Sequence, residues 1–90
     1  MARKKILLVD DAPTILMMER MILGKEYDLA IAEDGEAAVA KALSEHPDLI
    51  LMDVVMPKMD GYAACRQIRR QARTCEIPII MVTPRAEEEN

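Results

Sequence analysis

The chain contains no Phe and no Trp, and Tyr occurs twice in ninety residues. Its core must therefore be assembled from Leu, Ile, Val, Ala and eight Met. Glycine is equally scarce, and Asp10-Asp11-Ala12-Pro13 stands after the first apolar run, which excludes a glycine-rich dinucleotide loop there. Cys65 and Cys75 are the two cysteines, and nothing around them has metal-ligand spacing. They read as reduced thiols of a cytoplasmic protein. The single histidine, His46, precedes Pro47 without a companion ligand and reads as a surface residue. No apolar stretch reaches the length of a membrane span or a signal sequence, so no membrane association is expected. With a net charge of −4 and no basic block, direct nucleic-acid binding is not expected either. A hydrophobic content of 51% is enough for a core, and the length suits one domain spanning residues 1–90.

What the sequence does have is two short apolar runs that end in acid. Ile6-Leu7-Leu8-Val9 ends in Asp10 and Asp11, and Leu49-Ile50-Leu51-Met52 ends in Asp53. Continuous runs of this length suit strands covered on both faces. As parallel neighbours their ends would lie ~4.8 Å apart. Three carboxylates would then meet at one sheet edge. At ~4 Å each like-charge contact costs roughly 4 kcal/mol at an effective dielectric near 20. Such a cluster calls for a cation.

Strand and helix signals alternate along the chain. Strands are expected at Lys5–Val9, Tyr27–Ala32, Leu49–Met52 and Ile77–Val82. Helices are expected from Pro13 to about Leu23, over Glu36–Ser44 and over Tyr62–Arg73. Thr83-Pro84 would begin a further helix at Arg85. Pro13 suits a first helical position, and Ala38, Val39, Ala42 and Leu43 have inward spacing. The inward residues of the third helix would be Ala64, Cys65 and Ile68. This βαβαβαβ order implies an α/β fold, an open parallel sheet with helices on both faces. Its functional crevice should lie at the carboxyl ends of the first and third strands, where the winding reverses.

Four stretches in order now carry a family resemblance: Ile6–Asp11, Pro47–Asp53, Met56–Gly61 and Ile77–Thr83. The chain resembles the receiver domain of two-component response regulators. The resemblance implies a flavodoxin-like doubly wound parallel sheet of strand order 2-1-3-4, the 2-1-3-4-5 order of that fold without its fifth strand. It implies Asp53 as phosphoacceptor and Thr83 as a hydroxyl that contacts the phosphoryl group. Asp11 would bind Mg²⁺ directly, Asp10 largely through water, and the main-chain carbonyl of Val55 would complete the protein ligands. The octahedral preference of Mg²⁺ for a few carboxylates and several waters fits this inventory. The implied partner is a histidine kinase or a histidine phosphotransfer protein, and the implied catalysis is limited to the chain's own phosphorylation and dephosphorylation.

Some features depart from the family pattern. A fifth strand, its lysine and a last helix are expected in the family, and no lysine follows Ile77–Val82 here. Lys58 occupies a variable loop slot. Pro84 lacks the N–H that the family offers to the phosphoryl group. Val55 cannot hydrogen-bond an attacking water, which implies slow loss of the phosphoryl group. These departures leave a non-switching structural or oligomerisation module as the alternative, with self-association expected along strand 77–82. An aspartyl-phosphate hydrolase would want a carboxylate where Val55 stands.

The first helix is apolar on most sides. Ile15, Met18 and Ile22 are expected in the core, and Leu16, Met17 and Met21 partly outward. The resemblance implies that this outward face docks the helical bundle of a kinase, with Leu16→Glu harmless to folding. Arg66, Arg69, Arg70 and Arg73 share a solvated face by spacing. Tyr27 and Tyr62 read as partly buried.

Overall fold

The computed structural model describes residues 3–54, 56 and 59–82. Strands β1 (Lys5–Val9), β2 (Asp28–Ala32), β3 (Leu49–Asp53) and β4 (Ile79–Val82) form one parallel sheet in the order β2-β1-β3-β4. Helices α1 (Pro13–Leu23), α2 (Gly35–Glu45) and α3 (Gly61–Arg70) connect them. The expected α/β fold and strand order are therefore observed. The register pairs Val9 with both Ala32 and Met52, and Met52 with Met81, so all four strands end within one residue of a common level.

The period-two alternation of the strands divides the core into two layers. Leu7, Val9, Ile50 and Met52 pack with Ala38 and Ala42 of α2 and with Ala64 and Ile68 of α3. Ile6 and Leu8 pack on the opposite face against Leu16 of α1. Both helices of the first layer start on an aspartate. The Asp34 side chain accepts the Ala37 N–H at 2.8 Å, and the Asp60 side chain accepts the Ala63 N–H at 2.8 Å. Such caps satisfy a main-chain donor that the helix itself leaves unpaired. At the other end of α2, His46 takes a left-handed conformation with φ of 50°. Lys5 Nζ and Glu45 close an ion pair at 2.8 Å that ties the start of β1 to the end of α2.

Several expectations need correction. Leu16, not Ile15, Met18 and Ile22, is the buried residue of α1, at 6% exposure, while Ile22 stands at 70%. A helix apolar on most sides carries no phase in its periodicity. The phase is set by its entry, where the Ala12 N–H binds Asp10 Oδ1 at 2.9 Å and the Leu16 N–H binds the Ala12 carbonyl. The expected harmlessness of Leu16→Glu is overturned by the same burial. The third helix ends at Arg70, not Arg73, because the buried Thr74 hydroxyl donates to the Ile68 carbonyl at 2.7 Å and turns the chain. Arg66, Arg69, Arg70 and Arg73 are all exposed as expected, and two of them also make contacts. Arg69 donates to the Cys75 and Ile77 carbonyls, and Arg73 contacts the His46 ring at 3.0 Å. β4 begins at Ile79, not Ile77, since Pro78 has no N–H for the ladder and its carbonyl receives the Ile50 N–H. β2 begins at Asp28, because the Tyr27 N–H bonds back to the Leu23 carbonyl. Tyr62 is exposed, being on the solvent side of α3. The helix expected from Arg85, and with it Pro84, lies outside the described residues, as does Lys58.

Candidate functional site

The common level of the strand ends decides the site. β1 and β3 are hydrogen-bonded neighbours, so the residues that follow Val9 and Met52 share one edge. Asp10, Asp11 and Asp53 each offer a carboxylate oxygen there, and these oxygens lie within 4.8 Å of one another. Asp10 and Asp53 are nearly buried, at 9% exposure each, and Asp11 is exposed. At that spacing each pair of ionised groups repels by on the order of 3 kcal/mol at an effective dielectric near 20, and by less where water reaches Asp11. The donors are hard anionic oxygens, two nearly buried and one open to solvent. This set fits a small divalent cation that keeps part of its water shell.

The main chain fixes two of the three carboxylates. The Asp10 N–H binds the Ala32 carbonyl at 3.1 Å, which carries the β1–β2 pairing one residue beyond β1. Asp10 Oδ1 accepts the Ala12 N–H in a tight turn. The N-cap residue of α1 is Ala12, which makes no side-chain capping bond. Beyond Asp53, the Val54 N–H binds the Val82 carbonyl at 3.1 Å, and the Val54 carbonyl accepts the Gly61 N–H at 2.9 Å.

Two further residues bear on the site and are not apparent from the sequence. A Cβ on Gly61 would collide with the Asp53 main-chain carbonyl, so only glycine lets the start of α3 press this closely on the end of β3. The Asp60-Gly61 pair reads as a turn, and the close approach is its second meaning. Glu19 of α1 is the other. Burial pushes its carboxyl above the ordinary value, and the charges on Asp10 and Asp53 push the same way. Its position between Met18 and Arg20 gives no sign of an acidic neighbourhood. Of the expected site residues, the structure brings Asp10, Asp11 and Asp53 together, while Val55 and Thr83 lie outside the described residues. A groove between α1 and β2, lined by Arg3, Arg20 and Asp28 as well as by Met17, Met21 and Leu29, is not part of this acidic edge.

An open parallel sheet whose winding reverses beside an acidic edge is the architecture of a two-component signalling receiver. Residues 6–90 match the family described as response regulator receiver domain, and the chain belongs to it. It is 45% identical over 86 residues to the alkaline phosphatase synthesis transcriptional regulatory protein PhoP of Bacillus subtilis, covering 94% of this chain and 35% of that protein. Protein PilH of Pseudomonas aeruginosa is 42% identical over 85 residues, with 93% of this chain and 70% of that one covered. Among solved structures, the receiver domain of the sensor histidine kinase PA1611 from Pseudomonas aeruginosa superposes with a TM-score of 0.80 at 38% identity, covering 99% of this chain and 76% of that one. That structure is described as holding a magnesium ion coordinated in its active-site cleft. The chain spans about a third of the length of PhoP. Among the described residues, no helix is long and apolar enough to cross a membrane.

Proposed function

We propose that this chain takes a phosphoryl group from a phosphohistidine onto Asp53, with Mg²⁺ held by Asp10, Asp11, Asp53 and the main-chain carbonyl of Val55. The observation that carries this reading is the convergence of three carboxylates within 4.8 Å at the β1–β3 edge. Phosphoryl transfer asks a protein mainly for positioning and charge neutralisation. An Asp53 oxygen attacks phosphorus, the bond from phosphorus to the histidine nitrogen breaks, and an acyl phosphate remains on Asp53. A divalent cation held by these residues would supply the positive charge that lets a phosphoryl group enter an acidic pocket. Asp10, fixed by the Ala12 N–H, holds its share of the pocket rigid. Thr83 contacts the phosphoryl oxygen. The chain catalyses its own phosphorylation and dephosphorylation, and Val55 makes the second of these slow.

The donor in this reading is a histidine kinase or a histidine phosphotransfer protein. The reading has support from the likeness to a receiver domain described as part of a sensor histidine kinase. The compartment is the cytoplasm, in keeping with two free cysteines. A titration with Mg²⁺ and beryllofluoride, followed by NMR, tests the reading. Shifts at Asp10, Asp11 and Asp53 are expected, and acetyl phosphate should add the mass of one phosphoryl group. Asp53→Asn should abolish both responses. Saturating Mg²⁺ without any shift at these three residues would overturn the reading.

A second reading has its own observation. β4 is paired to β3, and its Ile80 and Val82 are exposed. That favours a module that associates with itself along 77–82 without switching. Phosphorylation of Asp53 with no change elsewhere in the spectrum would favour it.

A further inference from the structure

Gly35 is the first residue of α2, directly after the aspartate cap, and it is buried. Its backbone does not ask for glycine. The φ of Gly35 is not positive, so no left-handed turn requires it, and glycine weakens a helix relative to alanine. Space is the reason it is there. A Cβ on Gly35 would collide with the main-chain carbonyl oxygen of Met59 and would come within 2.8 Å of the Met59 Cβ and 2.9 Å of its Cγ. Carbon atoms in contact prefer ~3.5–4.0 Å, so an alanine at this position would displace a neighbour by ~0.6 Å or more.

What holds each side decides which one moves. The start of α2 is pinned twice. Asp34 Oδ1 accepts the Ala37 N–H at 2.8 Å, and Ala38, one turn in, is fully buried in the layer against the sheet. Met59 is only partly buried, at the rim of that layer, and belongs to the connection between β3 and α3. Met59 therefore gives way. Two residues separate it from the end of β3 as packed against α3. Asp60 caps α3 through the Ala63 N–H at 2.8 Å, and the Gly61 N–H is held by the Val54 carbonyl at 2.9 Å. Gly61 leaves no slack, since a Cβ there would strike the Asp53 carbonyl. Close main-chain approaches thus run from the start of α2, through Met59 and Gly61, to Asp53.

We propose that Gly35 is a positioning residue for the cation site. Having no side chain, it lets α2 brace Met59 from behind. The braced connection holds the main chain of Asp53 and Val54 in place at the acidic edge. Gly35 has no side chain to offer the cation, so it acts through Met59 alone. The proposal rests on the phosphoacceptor reading, in which Mg²⁺ takes an Asp53 oxygen and the Val55 carbonyl. Mg²⁺ demands near-ideal octahedral geometry, with ligand distances held to within about 0.2 Å. A displacement of ~0.6 Å at Met59 is about three times that tolerance, so a third of it reaching Asp53 is enough to disturb the site.

Mg²⁺ titrations followed by NMR at Asp10, Asp11 and Asp53 test the proposal. Gly35→Ala should weaken Mg²⁺ binding by roughly 10-fold, with the far-ultraviolet circular dichroism of a folded chain retained. Met59→Ala removes the side chain that Gly35 braces and crowds nothing. It should weaken Mg²⁺ binding in the same direction, and it decides the matter if Gly35→Ala does not fold. Ala42→Gly separates positioning from mere loss of stability. It loosens the same helix at a buried position two turns further on, so it should lower the urea midpoint and leave Mg²⁺ affinity close to that of the unaltered chain. Unaltered affinity in Gly35→Ala or in Met59→Ala would overturn the proposal, and so would an equal loss in Ala42→Gly. Each of these results leaves the phosphoacceptor reading standing, because the unaltered chain still binds Mg²⁺. An unaltered chain that binds no Mg²⁺ at the three carboxylates would remove both.

Discussion

At Gly61 two effects of opposite sign meet in one residue. Replacing a helical glycine by alanine ordinarily stabilises by about 0.5–1 kcal/mol. Here the new Cβ meets the Asp53 carbonyl, which belongs to main chain and cannot swing away. Overpacking of this kind costs about 1–3 kcal/mol, so the clash wins. Gly61→Ala should lower stability in urea by roughly 1–2 kcal/mol, and it should weaken Mg²⁺ binding because the shift is delivered to Asp53. Glu19 gives a prediction in pH. Its folded value is raised above the ordinary carboxylate range, so the protonated form is the one the fold favours. The stability it contributes is full below its unfolded value and is lost as pH rises through its folded value. Glu19→Gln should therefore stabilise the metal-free chain near neutral pH. That gain should vanish in acid, where Glu19 is itself protonated. Urea melts at two pH values check the sign.

Among the elements, α1 separates what periodicity can tell from what it cannot. Its boundaries were legible: Pro13 suits the first turn, and the helix runs from Pro13 to Leu23. Its phase was not, since apolar residues at almost every angle fit any rotation. The Asp10–Ala12 turn fixes the phase, and that is a contact outside the helix. Leu16→Glu should thus unfold the chain, because it buries a carboxylate in an apolar layer. Met17→Glu, on an exposed position of the same helix, should leave the melting temperature nearly unchanged. Circular dichroism melts of the pair provide the check. The end of α3 was illegible for a related reason. No Gly or Pro marks Arg70, and the stop comes from a hydroxyl at Thr74 that reaches back to Ile68. The strands were easier to read, because a run such as Ile6–Val9 needs no tertiary partner to declare itself.

For the molecule as a whole, parallel pairing turned a sequence separation of some forty residues into a shared edge. That is why the acidic cluster could be read from Asp10, Asp11 and Asp53 alone. Gly61 and Glu19 could not be read this way, since their part depends on which surfaces touch. The short stretch after Asp53 shows what such contacts add. One peptide unit on each side of Val54 is engaged, the N–H by Val82 of β4 and the carbonyl by Gly61 of α3. This makes Val54 a three-way joint. A displacement of the backbone at the acidic edge cannot stay local; it pulls on a strand and levers a helix in the same stroke.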